Sequence, residues 1–223
     1  MCLIIVSPSN SPRPSKDILE ASKSSNSHGN GIAWNDGRRV HYRKGISDKQ
    51  EKEYLADIPR TATVVVHHRL ATVGESSPAL CHPFVKGGSL SVSGSCAAIM
   101  AHNGHLTDWR KLLLAAGGKI PVGPWSDSRA IAYLWGRCGD GVLDLFDERT
   151  VALRKGSYTL HGTGWHTLET GLVVSNLGFQ ARPMMFPGLA SKDAIGAVRG
   201  KGISKRECME PGLAPWGDWA WVE

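Results

Sequence analysis

The chain has 223 residues, of which 41% are hydrophobic and 21% charged; that supports one sizeable buried core and excludes wholesale disorder. No apolar run approaches the ~20 residues that span a bilayer, and Leu3-Ile4-Ile5-Val6 is too short and too poorly flanked for a secretory leader. The 26 Lys and Arg against 20 Asp and Glu give +6, a mild excess that permits an anionic partner without demanding one, and five cysteines without close spacing argue against a disulfide framework and for a reducing, cytoplasmic setting.

Taken in chain order, Cys2–Val6 reads as a short strand and Pro14–Ser22 as a helix between two Ser-rich loops, Ser7–Ser15 and Ala21–Ser27. A strand at Gly31–Trp34, a helix at Asp48–Ala56 and a β-branched strand at Thr63–His68 follow. Ala97–Ala101 is the next strand, then come helices at Asp108–Ala116, Asp127–Arg137 and Gly141–Phe146. Thr107, Asp108 and Ser126 supply helix-start signals. Strands at Val151–Leu153, Ser157–Leu160 and Gly171–Ser175 close the series. Strands arrive both in succession and separated by helices, which points to α+β layers in one domain.

Several strand ends carry chemistry-bearing residues. Removal of Met1 would leave Cys2 with its thiol and its α-amine on one residue, so the amine, titrating near ~7.7–8.0, can serve as general base for the thiol. A small core cysteine is the bland alternative. Thr63–Val66 delivers His67-His68-Arg69-Leu70-Ala71-Thr72; Arg69 offers a planar fork suited to a carboxylate, or to a surface ion pair. Ala97–Ala101 runs into His102-Asn103-Gly104, where an Asn amide beside a Gly N–H makes either an oxyanion hole or a common turn. Ser126-Asp127-Ser128 opens a helix, and Asp127 either caps it or binds a substrate ammonium.

In this order the pieces resemble the glutaminase domain of class II glutamine amidotransferases, members of the N-terminal-nucleophile hydrolases. The matching stretches are Met1-Cys2, Gly29-Asn30-Gly31-Ile32-Ala33-Trp34, His68-Arg69-Leu70-Ala71-Thr72, His82-Pro83-Phe84, His102-Asn103-Gly104 and Ser126-Asp127-Ser128. Similarity weakens toward Val174-Ser175-Asn176. The resemblance is closest to small members without a synthetase domain. It implies a four-layer αββα sandwich and a glutaminase domain over residues 1–180, with 181–223 as an extension packed on it or used for docking. It implies Cys2 as nucleophile, Arg69 on the glutamine carboxylate, Asp127 on its α-ammonium, and Asn103 and Gly104 at the oxyanion. Backbone around Thr72 and the Gly29–Gly31 turn would help line the pocket. The implied reaction releases ammonia and leaves a γ-glutamyl thioester that water cleaves to glutamate. Arg129 and His28 stand where relatives often carry acidic residues, which would alter the electrostatics near the pocket.

No cofactor is implied, and the His and Cys residues lack a recognised metal-ligand spacing; His102 is better explained by orienting the Asn103 loop. Residues 182–206 carry six basic side chains against one acidic, the last seventeen residues are acidic, and three of eight tryptophans sit in that tail. Without interleaved aromatics or a nucleic-acid-binding signature, the basic stretch reads as a solvated face first, with nucleic-acid binding by it and the Arg38-Arg39 and Arg43-Lys44 cluster as the lesser alternative. A different amide hydrolase or an inactive interaction module is the remaining alternative. The residues after 180 are too few for an ammonia acceptor, so a separate synthetase partner is expected.

Overall fold

The computed structural model describes residues 2–70, 76–117 and 119–180. Along the chain the elements are β1 (Leu3–Ser7), α1 (Lys16–Ser25), β2 (Asn30–Asn35), β3 (Val40–Lys44), α2 (Asp48–Asp57), β4 (Val64–His68), β5 (Phe84–Val85), β6 (Ser93–Cys96) and β7 (Ala98–Asn103). They continue with α3 (Trp109–Ala115), α4 (Asp127–Cys138), β8 (Arg149–Arg154), β9 (Tyr158–His161), β10 (His166–Thr167) and β11 (Val173–Val174). One sheet has seven strands in the order β10-β11-β1-β4-β2-β3-β6, and the other four in the order β5-β7-β8-β9. Neighbouring strands are antiparallel throughout.

The two-residue period of a strand sorts β1 onto two faces. Leu3 and Ile5 pack with Ile18 and Leu19 of α1 and Leu55 of α2. Ile4 and Val6 face the other way and meet Ile99, Ala101, Val151 and Leu153 of the smaller sheet. On that sheet's far side, Met100 and Ala152 pack against Leu113 of α3 and Ile131, Leu134 and Trp135 of α4. The layers therefore run helix, sheet, sheet, helix, the αββα order. A strand covered on both faces has no polar side, which is why β1 and β4 read as unbroken apolar runs.

Local signals set the helix starts. Ser47 and Gln50 form a capping box at α2, and the Ser126 hydroxyl accepts from Arg129 N–H at 3.2 Å to open α4. Gly139, at φ +83°, ends α4 in a backbone conformation that side chains disfavour.

Some expectations need correction. Gly141–Phe146 is a 3-10 turn over Asp140–Leu145, not an α-helix. The Ser-rich stretch expected as a loop from Ala21 remains helical to Ser25, because Ser22 is buried and its hydroxyl is bonded to His68. β3, β5, β6 and β10 were not expected. β6 is built of Ser, Gly and Cys, which carry no strand signal, and it forms by pairing with β3. No helix among the described residues is long and apolar enough to cross a membrane. The expected C-terminal extension, its basic stretch and its Trp-rich tail lie outside the described residues.

Candidate active site

Strand register brings the site together. β1 and β4 pair with Leu3 opposite His68, so the residue before β1, Cys2, meets the residues after β4, Arg69 and Leu70. Leu70 N–H donates to Cys2 Sγ at 3.4 Å, and the thiol reaches Leu70 O at the same distance. The smaller sheet contributes β7, which ends in Asn103 and delivers Gly104. α4 contributes Asp127 at its first turn. Cys2, Arg69, Gly104 and Asp127 line one cleft together with Leu70, Leu80, His82, His102, Ser126 and Ser128. The cleft opens to solvent and spans about 310 Å³, the open mouth included.

Cys2 is fixed by residues far along the chain. Asn176 Nδ2 donates to Cys2 O at 2.8 Å, and the Ser175 hydroxyl accepts from Ile4 N–H at 3.0 Å. Burial pushes the Cys2 thiol up; the Leu70 N–H and the Arg69 guanidinium pull it part-way back, and Asp127 adds to the rise. The thiol is therefore protonated at neutral pH and needs a base to become a nucleophile.

Asn103 is buried and its Nδ2 donates to Ser175 Oγ at 2.8 Å, tying the two sheets together. An amide nitrogen carries two hydrogens, so one remains for another acceptor. Gly104 admits no side chain: a Cβ there would fall 2.1 Å from Glu148 Cγ. Asp127 is 5% exposed and accepts from Ser128 N–H at 2.8 Å and Leu106 N–H at 3.1 Å, which aims a carboxylate at the mouth of α4. Arg69 is buried at the turn, its N–H donating to Gly29 O at 2.8 Å.

Gly31 sits in β2, outside the cleft wall, where a Cβ would lie 1.8 Å from His82 O. It therefore supports the cleft from behind by letting the His82 backbone approach. Thr72 lies outside the described residues. Arg129 does not face the cleft: its guanidinium donates to Gly88 O, Pro124 O and Val122 O and stacks over Trp125. His102 is bonded to Ser128 of α4 at 2.9 Å, so it ties β7 to α4 and not to the Asn103 loop.

Four participants were missed or underweighted in the sequence: Ser128, His82, Ser175 and Asn176. The last two carry the same signal as Arg69 and Asn103, a polar pair ending an apolar strand run. Three histidines are buried, His82 and His102 in the cleft wall and His67 behind it, and burial keeps them neutral, His67 at about 3 and His102 at about 4. The rings of His67 and His82 lie 4.0 Å apart. Burial also brings Lys44 down to about 7; its ammonium donates to Ala79 O at 2.6 Å over the Phe84 ring. Among the described residues, no group of three or more His, Cys, Asp or Glu side chains is arranged to hold a metal.

Residues 19–136, more than half the chain, match the family of class-II glutamine amidotransferases. That interval contains Arg69, Asn103, Gly104 and Asp127 and begins after Cys2. Among solved structures, glutamine phosphoribosylpyrophosphate amidotransferase from B. subtilis, complexed with ADP and GMP, is similar at 18% identity and a TM-score of 0.52. The similarity covers 78% of this chain and 42% of that one. An allosteric regulatory enzyme of purine biosynthesis aligns at 16% identity and a TM-score of 0.49, over 78% of this chain and 41% of its own. The chain thus spans less than half the length of either structure. No curated protein gives a significant match. With an αββα fold similar to that of an amidotransferase and a family match over more than half its length, the chain belongs to an enzyme family, the class-II glutamine amidotransferases.

Proposed function

We propose that the chain hydrolyses the side-chain amide of L-glutamine through Cys2. The observation that supports this most is the convergence of Cys2, Arg69, Gly104 and Asp127 on one cleft from β1, β4, β7 and α4. A free amino acid is a zwitterion, and recognising it takes one cationic and one anionic clamp beside the reacting group. Arg69 holds the α-carboxylate and Asp127 the α-ammonium. Thr72 supplies a further backbone contact, and Gly31 acts indirectly, through the His82 backbone that it lets approach.

Removal of Met1 frees the Cys2 α-amine. The amine takes the thiol proton as sulfur attacks the amide carbon, and the carbonyl oxygen becomes an oxyanion. The free hydrogen of Asn103 Nδ2 and the Gly104 N–H stabilise that charge, each donor worth ~10²–10³ in turnover in comparable sites. The ammonium then gives its proton to the leaving nitrogen, the C–N bond breaks, and ammonia departs. The γ-glutamyl thioester left on Cys2 is cleaved by water: the hydroxide adds to the carbonyl carbon, the C–S bond breaks, and the water proton returns to the thiolate by way of the amine.

Ammonia at neutral pH is quickly protonated and lost as a nucleophile, which favours direct delivery to an acceptor; we place that acceptor on a separate synthetase. The test is glutamate release from glutamine by the full chain, with Cys2→Ala as control and intact-mass analysis of the active protein. Release that depends on Cys2, from protein lacking Met1, is expected. Equal release by wild type and Cys2→Ala, or full activity with Met1 retained, would overturn the mechanism. Co-purification from the native host tests the partner: an acceptor enzyme is expected, and a chain always isolated alone with fast glutaminase activity contradicts it.

A further inference from the structure

A carboxamide and its hydrolysis product share a carbonyl oxygen and differ at one group, NH₂ against O⁻. The first donates hydrogen bonds and the second only accepts them. Asn103, Gly104 and Arg69 are all donors, so they favour the acid at least as much as the amide. Selection of the amide calls for an uncharged acceptor in the cleft wall. His102 is such a group.

The His102 ring is buried and lines the cleft. Its Nδ1 lies 2.9 Å from Ser128 Oγ, while the buried Nε2 has no hydrogen-bond partner among the described residues. Ser128 Oγ is also 3.4 Å from Asp127 Oδ1. An ionised carboxylate only accepts, so the Ser128 proton points to Asp127 and its lone pair receives the Nδ1–H of His102. That chain of donors fixes the tautomer and leaves a lone pair on Nε2. Gly104 lets the backbone of the oxyanion loop pack close to this nitrogen, since a Cβ at 104 would lie 2.8 Å from Nε2 and 2.1 Å from Glu148 Cγ. Burial holds the ring neutral although Asp127 pulls the other way. A buried imidazole nitrogen without a partner is costly unless a ligand completes it.

We propose that His102 Nε2 accepts a hydrogen bond from the side-chain NH₂ of glutamine and so sets the preference of the cleft for the amide over glutamate. Ser128 and Asp127 act through His102 by fixing its tautomer. Glutamate sets a carboxylate oxygen against the same lone pair, which speeds its departure after thioester cleavage. The assignment rests on the glutaminase reading above.

The experiment measures the affinities of glutamine and glutamate for the full chain carrying Cys2→Ala, and reads the same ratio as KM for glutamine against Ki for glutamate in chains that retain Cys2. Adding His102→Phe lowers the glutamine-to-glutamate affinity ratio by about tenfold, the worth of one buried hydrogen bond. His102→Asn, whose amide overlies Nδ1, loses the same preference, whereas His102→Gln, whose oxygen reaches the Nε2 position, retains most of it. Ser128→Ala, which keeps the ring and frees the tautomer, lowers the ratio by a smaller factor. A purely structural role for His102 would weaken both ligands alike and would make Asn and Gln equivalent; either result overturns the proposal, as does an unchanged ratio in Phe and Asn. If wild type releases no glutamate, the glutaminase reading falls and this assignment with it. If wild type hydrolyses glutamine while the ratio ignores position 102, this assignment alone falls.

Discussion

Replacing Gly31 with alanine perturbs the cleft without touching any group that contacts substrate. The added Cβ would lie 1.8 Å from His82 O, 2.9 Å from His82 C and 3.2 Å from Arg43 O. Reaching even the ~3.3 Å of a close C–H···O contact requires roughly 1.5 Å of movement. The obstructing atoms are backbone, and β2 is held on both sides, at Gly31 by His67 and Lys44. Alanine would gain ~0.4–1 kcal/mol by restricting the unfolded chain. Overpacking of this kind costs ~1–3 kcal/mol, so the steric effect wins and the net change is destabilising. At ~2–4 °C per kcal/mol for a chain of this size, the melting temperature falls by a few degrees. His82 lines the cleft, and a ~1 Å misplacement near reacting atoms can cost ~10²-fold in rate. Thermal unfolding and glutamate release would both be measured, with Gly156→Ala as the control because a Cβ there meets nothing within 4 Å. A Gly31→Ala chain as stable and as active as wild type would refute the packing argument.

Arg69→Lys and Asp127→Asn are each expected to raise KM for glutamine by ~10-fold or more, since each loses a charged contact made in the ground state as well as the transition state; unchanged KM in steady-state kinetics counts against the two-clamp site. Arg129→Met should lower stability by about 3 kcal/mol in denaturant unfolding, because it strips a buried cation from three carbonyls, with KM for glutamine unchanged. Because burial keeps the Cys2 thiol protonated, kcat/KM should rise with pH through one ionisation near ~7.7–8.0, that of the α-amine; a profile flat across that range is the contrary result. Asp140 is pushed up by burial, but Lys86, the Trp135 indole N–H and Arg154 outweigh this and hold it down at about 2. Its contribution is therefore complete above the ordinary carboxylate range and disappears as pH falls through about 2. Asp140→Asn should cost under ~1 kcal/mol near neutrality, the group being more than half exposed, and nothing in strong acid.

The parts of this fold that were legible in the sequence are those in which one strand or helix carries its own signal. β1 and β4 are apolar because both faces are covered, and α4 declares its start with Ser126. β6 was not legible, because Ser93–Cys96 becomes a strand only through its partner β3. The same division runs through the cleft. Arg69, Asn103 and Asp127 stand out as polar residues at element ends, and the register of β1 on β4 places Cys2 beside Arg69. Asn176 holding Cys2 O, Ser175 drawing the Asn103 amide, and Ser128 fixing His102 are contacts between positions 174, 72 and 26 residues apart. No local spacing encodes them: the first needs β11 paired with β1, the second the two sheets stacked, and the third α4 packed on β7. Arg129 misled for a related reason, since its neighbour Asp127 faces the cleft while the helix turns Arg129 toward the carbonyls of Gly88, Val122 and Pro124.

The central claim is that Cys2, freed of Met1, is the nucleophile for a glutamine side chain. It is tested most directly with a glutamine analogue bearing an electrophilic ketone in place of the carboxamide, followed by peptide mass analysis. A single adduct on Cys2 of chains lacking Met1, blocked by excess glutamine and absent in Cys2→Ala, is the expected result. An adduct on another cysteine, or equal labelling of chains that retain Met1, would contradict it.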